Sequence, residues 1–253
     1  MPAGAAVGLP ARGKPKMPSK ETPRWAVRAS SQAYAMSVAM GFPRGQASIL
    51  DSRTRGEQAA RMPAGDPRSR LLQILLERSL RFGSFRLASG TVSDYYVDVR
   101  KTSLDPEGLA LVATLLADAA GLGEPDGPDT VGGPAIGADP IVAALGLEAW
   151  RRGRRLDLFL VRKEEKDHGV AGRIVGHFRE GARVLLVDDV LTQGGSLADV
   201  LAVVEAAGAT VSDVGCVVDR RAGGAERLRA PGRALHALFA VEELLAAGRS
   251  TAL

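Results

Sequence analysis

From residue 66 onward, apolar positions recur with two distinct periods. The run SRLLQILLERSL (69–80) repeats leucine and isoleucine at helical spacing. Asp66-Pro67 precedes it, an N-cap acid followed by proline at the first helical position, and Arg81-Phe82-Gly83 is expected to close it. Residues 84–101, SFRLASGTVSDYYVDVRK, alternate instead, with Ser89-Gly90 as turn residues in the middle. That predicts a hairpin or two short strands. Residues 105–121 read as an amphipathic helix and 121–129 as a Gly/Pro/Asp loop. Then TVGGPAIGADPIVAALGLEAWRRG predicts a short strand, a Gly-rich loop and a helix. Apolar strands follow at 156–161, 184–189, 210–219 and 235–240, with a short returning arm at 174–177. Helices are expected up to Gly208 and over 241–247. Strands alternating with helices predict an α/β fold, a mainly parallel sheet flanked by helices, preceded by a small N-terminal hood at about 66–100. The core then spans about 101–253. Ligands in such sheets sit beyond the carboxyl ends of the strands.

The stretch at 184–196, VLLVDDVLTQGGS, carries the most chemistry. A buried strand brings two adjacent acids, Asp188 and Asp189, to its carboxyl end. The loop Thr192-Gln193-Gly194-Gly195-Ser196 leads into the periodic run LADVLAVVEAAG, so it ends at a helix N-terminus. Free N–H groups and the positive end of the helix dipole suit an anion. Two glycines let the backbone close around a phosphate, and Thr192 and Ser196 can add hydroxyl donors. The paired carboxylates suit sugar hydroxyls, or a metal reached through water. Gly-Gly alone would be a plain strand–turn–helix corner. The combination with paired acids and flanking hydroxyls points to a site. The GKS/T ending of a nucleotide-triphosphate loop is missing, which argues against a nucleotide triphosphatase.

Charge changes the picture in one place. The chain has 253 residues and a net charge of +4. Residues 1–61 hold ten Lys/Arg against three Asp/Glu, which leaves 23 against 26 in 62–253. The basic excess therefore belongs to the first quarter and says little about the ligand of the domain. That quarter is rich in Pro, Gly, Ser, Ala and Arg and lacks sustained periodicity. We read 1–61 as a disordered or non-native basic extension, with Met62 a plausible initiator. Its acid-poor, Arg- and Ser-bearing character also overlaps with organelle transit peptides. Its dispersed charges make a weak case for a nucleic-acid arm. The lone Cys216 lies in an apolar run and can form no intrachain disulfide. No apolar run approaches membrane-spanning length.

Four motifs resemble the orotate phosphoribosyltransferases, type I phosphoribosyltransferases that use phosphoribosyl pyrophosphate (PRPP). Residues 184–196 resemble the PRPP-binding motif of the wider family. The stretch from Phe85 resembles F-x-L-K-S-G-x-x-S-x-Y, with Ser89, Gly90 and Ser93 in place and Tyr96 read as its aromatic position. The lysine position is Ala88, which removes one contact to the pyrimidine or its carboxylate. Arg162-Lys163-Glu164-Glu165-Lys166-Asp167-His168-Gly169 resembles R-K-E-x-K-x-H-G, the most family-specific stretch; alone it would read as a solvated charge run. Asp219-Arg220 with Gly223-Gly224 resembles D-R-x-x-G-G. The resemblance covers roughly 66–240. His177 and His236 have no such context and read as structural.

The resemblance implies the fold of that family and transfer of a phosphoribosyl group from PRPP to orotate, giving orotidine 5′-monophosphate and pyrophosphate on the way to UMP. It implies that Asp188, Asp189, Val190, Leu191, Thr192, Gln193, Gly194, Gly195 and Ser196 hold PRPP, with Arg162, Lys163, Lys166 and His168 on its diphosphate. Lys166, His168, Asp188 and Asp189 are the implied catalytic residues. Tyr96, Thr192 and Arg220 are the implied orotate contacts. Gly132-Gly133-Pro134-Ala135 is implied to lie beneath the pyrophosphate, and 83–100 to form a hood over the base. Mg²⁺ is implied as a cofactor carried by PRPP, with no direct protein ligand. A cytoplasmic homodimer is implied, with loop 162–169 shared across its interface, and neither nucleic acid nor membrane as partner. The competing readings are a phosphoribosyltransferase for another base, and a PRPP-sensing regulator that has lost catalysis.

Overall fold

The structure, a computed structural model, describes residues 65–86, 90, 92–164 and 172–251. The basic extension 1–61, Ala88 and Ser89, and Lys166, His168 and Gly169 lie outside the described residues.

Helix α1 (Pro67–Ile74) starts as expected, with the Asp66 carboxylate accepting from the N–H groups of Arg68 and Ser69. It does not run on to Arg81-Phe82-Gly83. Leu75–Ser79 winds as one π turn, and strand β1 (Leu80–Arg86) begins at once. The wider turn rephases the chain so that Leu75 and Ser79 are buried with Leu71 and Ile74. Gly83, expected as a terminator, sits in the irregular register between Phe82 and Phe85 where β1 pairs antiparallel with β2 (Val92–Val97). These two strands form the hood as a separate small sheet.

A short helix α2 (Arg100–Ser103) follows, then α3 (Pro106–Ala119), whose first turn is capped by Asp105. The chain then alternates through β3 (Thr130–Pro134), α4 (Asp139–Arg151), β4 (Asp157–Val161), β5 (Ile174–Gly176), β6 (Arg183–Leu191) and α5 (Gly195–Ala206). It continues with β7 (Thr210–Asp219), α6 (Gly224–Leu228), β8 (Ala234–Ala240) and α7 (Val241–Thr251). The sheet order is β5-β4-β3-β6-β7-β8, all parallel except the edge strand β5. The short helix α6 was not expected.

Alternate residues of β6 serve opposite faces. Leu185 and Val187 join a core with Leu111, Leu116, Ile141 and Leu145 from α3 and α4. Val184 and Leu186 join a second core with Leu197, Val200 and Val204 from α5. One expectation is corrected in β3. Gly132 and Gly133 belong to the strand rather than to a loop beyond it. A Cβ on Gly132 would lie 2.2 Å from the Phe159 ring, and one on Gly133 would lie 2.2 Å from the Val187 carbonyl oxygen. Close packing within the sheet requires these glycines.

Cys216 lies on β7 in register with Asp188 and is 1% exposed. Burial pushes its thiol far above the usual range. His236 on β8 pairs its Nε2 with Asp213 at 2.8 Å. No helix among the described residues is long and apolar enough to cross a membrane.

Candidate active site

Strand β6 carries its pairing through Asp188, Asp189 and Val190 to Leu191 before the chain turns. Residues 192–194 make the turn, and α5 begins at Gly195. Gly194 caps this helix in the left-handed region, at φ 69°. The turn is clasped by the segment that follows β7. The Arg220 N–H donates to the Leu191 carbonyl at 2.8 Å, and the Gly224 N–H to the Thr192 carbonyl at 2.9 Å. A Cβ on Gly224 would fall 2.5 Å from that Thr192 oxygen. A concavity of about 100 Å³ results, lined by Asp188 and residues 190–197. The first N–H groups of α5 have no partner within the helix and open on this end. Backbone donors and a dipole end are thus fixed for an anion before it arrives.

Beside the cradle lies a cavity of about 650 Å³. Asp188 and Asp189 form its floor. Each carboxylate accepts from the next N–H along, Asp188 from Asp189 at 2.9 Å and Asp189 from Val190 at 2.8 Å. Asp188 is only 8% exposed. Burial, and then the charge of Asp189, push its carboxyl up to about 7. The loop between β3 and α4 presses on the pair. A Cβ on Gly137 would meet the Asp188 carboxylate at 2.8 Å and that of Asp189 at 3.1 Å. Two carboxylates held this close favour a ligand that brings hydrogen-bond donors or positive charge.

The hood closes one wall with Tyr96, Val97, Asp98, Val99 and Arg100. Tyr96 stacks at 5.6 Å from Phe85 across the hairpin, so it is both a cross-strand aromatic partner and a cavity surface. Tyr95 points to the other side. Its hydroxyl lies 3.5 Å from Arg220, whose guanidinium sits 5.4 Å from the Tyr95 ring centre. Arg220 also lines the cavity, so Tyr95 steadies its approach. Arg100 pairs with Asp98 at 3.2 Å on the same wall.

The basic stretch enters from β4. Lys163 lines the cavity. Arg162 is held by its backbone, donating to the Arg173 carbonyl at 2.9 Å. Arg173 forks onto Asp199 of α5 and also donates to the Arg162 carbonyl at 2.7 Å. Lys166 and His168 lie outside the described residues.

The structure therefore gathers Tyr96, Lys163, Asp188, Asp189, Val190, Gly195, Ser196 and Arg220 around the larger cavity. Leu191, Thr192, Gln193 and Gly194 line the adjoining cradle. Thr192, assigned to orotate as well as to PRPP, lines the cradle alone of the two hollows. Arg162 lines neither. Sequence reading missed Tyr95, Arg100, Arg173 and Asp199. For Tyr95 the signal was present, because F-x-L-K-S-G-x-x-S-x-Y counted from Phe85 ends on it. Arg173 and Asp199 are separated by 26 positions, and nothing local marks them as partners.

Comparison with known proteins gives a consistent answer. Residues 102–231 match the model of the phosphoribosyl transferase domain. The orotate phosphoribosyltransferase of Pyrococcus furiosus is 42% identical over 181 residues, which cover 70% of this chain and 95% of that protein. That of Streptomyces avermitilis is 44% identical, over 65% of this chain and 89% of that protein. The crystal structure of the Mycobacterium tuberculosis orotate phosphoribosyltransferase in complex with PRPP superposes with a TM-score of 0.59 at 31% identity. The superposition covers 71% of this chain and 99% of that one.

Proposed function

Because this chain belongs to the orotate phosphoribosyltransferases, within the phosphoribosyl transferase family, we propose that it transfers the 5-phosphoribosyl group of PRPP to orotate. The products are orotidine 5′-monophosphate and pyrophosphate, a step of de novo UMP synthesis. The acting unit is 62–253, with the hood over the base. The observation that carries this assignment is the meeting, on one cavity, of the paired acids, the hood aromatic Tyr96, Arg220 and Lys163, next to an amide-lined cradle.

The reaction breaks a glycosidic bond to a diphosphate. Positive character grows at the ribose C1 while negative charge grows on the leaving group. The amides of 192–196 hold the 5′-phosphate. Asp188 and Asp189 accept from the ribose hydroxyls and favour the cationic sugar. Arg162, Lys163, Lys166 and His168 take the charge of the departing pyrophosphate, and His168 can donate a proton near neutral pH. Arg220 offers a planar fork to the orotate carboxylate or ring oxygens, with Tyr96 beside the ring and Thr192 at its edge. Mg²⁺ enters with PRPP as part of the substrate and neutralises diphosphate charge. Asp188 and Asp189 are the residues that would face such an ion, through water. No protein nucleophile takes part; positioning and preorganised charge do the work.

The reading includes a cytoplasmic homodimer with loop 162–169 shared across its interface, Lys163 at its root staying on the cavity of its own chain. Support comes from the outer face of α4, where Leu147 and Trp150 stand 67% and 68% exposed one turn apart. Ile136, 79% exposed on the cavity rim, lies just before this helix. An apolar surface of this kind marks a contact face.

The test is spectrophotometric loss of orotate with PRPP and Mg²⁺, on the full chain and on 62–253. Both should consume orotate and release pyrophosphate, while adenine, hypoxanthine and uracil should not replace it. Turnover of another base but not orotate, or PRPP binding without turnover of any base, would overturn the assignment.

A further inference from the structure

Arg173 and Asp199 occupy a position that the reaction outlined above does not use. Arg173 stands just before β5, at the far end of the basic stretch, and Asp199 stands in the second turn of α5. The guanidinium makes three directed contacts to described residues. Its Nε donates to the Arg162 carbonyl at 2.7 Å, one terminal nitrogen donates to Asp199 Oδ1 at 3.1 Å, and the other donates to Asp199 Oδ2. The Arg162 N–H returns a bond to the Arg173 carbonyl at 2.9 Å. The Arg173 side chain is only 20% exposed. The fork holds the Asp199 carboxyl below its ordinary range. A bidentate, partly buried fork of this kind is stiffer than an ordinary surface ion pair.

These contacts join two parts of the site that otherwise belong to different elements. On one side is α5, whose first turn supplies the phosphate cradle. On the other is Arg162, whose next residue, Lys163, lines the larger cavity. Arg173 and Asp199 line that cavity as well, between the two. We propose that the Arg173–Asp199 pair is a positioning device that sets the distance between the phosphate cradle and Lys163, so that both ends of one PRPP molecule are engaged together. The inference rests on PRPP being the substrate. The pair is assigned no contact with the reacting atoms. Its contribution is geometric, fixing where a cation stands relative to an anion-binding helix end.

The pin predicts a ligand-dependent pattern. Ribose 5-phosphate needs the cradle and the acids beside it, whereas PRPP needs these and Lys163 at the correct separation. Calorimetric titration with ribose 5-phosphate, pyrophosphate with Mg²⁺, and PRPP with Mg²⁺ should therefore separate the two demands. Arg173→Ala and Asp199→Asn should each weaken PRPP binding ~10–100-fold, and leave ribose 5-phosphate within about twofold of wild type. The exchanged double variant R173D/D199R should recover part of the PRPP affinity. Arg173→Lys should keep only part of the PRPP affinity, because one ammonium cannot reproduce a fork that also reaches the Arg162 carbonyl. Parallel losses for ribose 5-phosphate and PRPP would overturn the proposal, since they would mean that the pair merely supports α5. Unchanged PRPP affinity in both single variants would also overturn it. If Arg173→Ala does not fold, Asp199→Asn decides alone. Wild type that neither binds nor turns over PRPP would overturn the substrate assignment, and this inference with it. Active wild type with variants that match it removes this inference only.

Discussion

The cradle at 188–196 and the basic stretch at 162–173 are built by different means. The cradle is made of backbone: a strand end, a turn clasped by the N–H groups of Arg220 and Gly224, and the open end of α5. Its geometry follows from sheet pairing and from a glycine that no side chain could replace without collision. The basic side is made of long side chains, anchored at its root by the Arg173 fork and the short pairing of β4 with β5. A site that must hold a fixed phosphate gains from the first kind of construction. A site that must meet changing charge on a leaving group gains from the second. The acids on β6 lie between the two, rigid like the cradle and ionisable like the loop.

Substitutions on either side should have different signatures. The largest effect should come from Asp188→Asn and Asp189→Asn, each lowering kcat/KM by roughly 10³-fold or more while circular dichroism stays that of wild type. Near-normal rates in both would remove the acids from the sugar site. Next, Lys166→Ala should lower kcat by about 10²-fold with little change in orotate binding, as expected for a contact made mainly in the transition state. A change confined to KM would place it in ground-state binding instead. Gly224→Ala should act on the cradle, raising the KM for PRPP by ~10-fold and costing about 1–3 kcal/mol of stability in chemical denaturation.

The smallest effect should be in pH dependence. A carboxyl raised in the fold favours the protonated state there, so its stabilising contribution is complete below the unfolded pKa of 3.8 and is lost as pH rises through about 7. Melting temperature of the free protein should fall between about pH 5 and about pH 8, and Asp188→Asn should flatten that fall. Turnover should run the opposite way. On the proposed reading Asp188 must be ionised to accept from the ribose hydroxyls, so kcat/KM for PRPP should drop on the acid side of about 7. A profile flat down to about pH 5 would contradict this account.

Legibility in the sequence follows the same division. Strands β4, β6 and β7 were readable because each packs apolar side chains on both faces of the sheet, in runs such as Leu158–Val161, Val184–Val187 and Cys216–Val218. The Asp66 and Asp105 caps were readable because capping is local. The cradle was readable for the same reason, since strand, acids, glycines and helix lie within thirteen positions. The end of α1 was misplaced because Gly83 looks like a stop, whereas tertiary burial of Leu75 and Leu80 selects a π turn and an irregular hairpin. Gly132 and Gly133 were read as loop because their cause, the Phe159 ring and the Val187 carbonyl, lies on neighbouring strands. The support of Arg220 by Tyr95 and the fork of Arg173 on Asp199 depend on long-range approach, which no local period encodes.

The position of Cys216 gives the chain a built-in reporter. It is the sole thiol in 253 residues, and it sits directly across from Asp188 in the middle of the sheet. Its thiol is covered by Leu197, Val200 and Val204 of α5, so a soluble thiol reagent can modify it only when α5 lifts off the sheet, which also takes apart the cradle at the start of that helix. The labelling rate therefore times the opening of the catalytic centre itself, and a bound substrate should slow that clock in proportion to its occupancy.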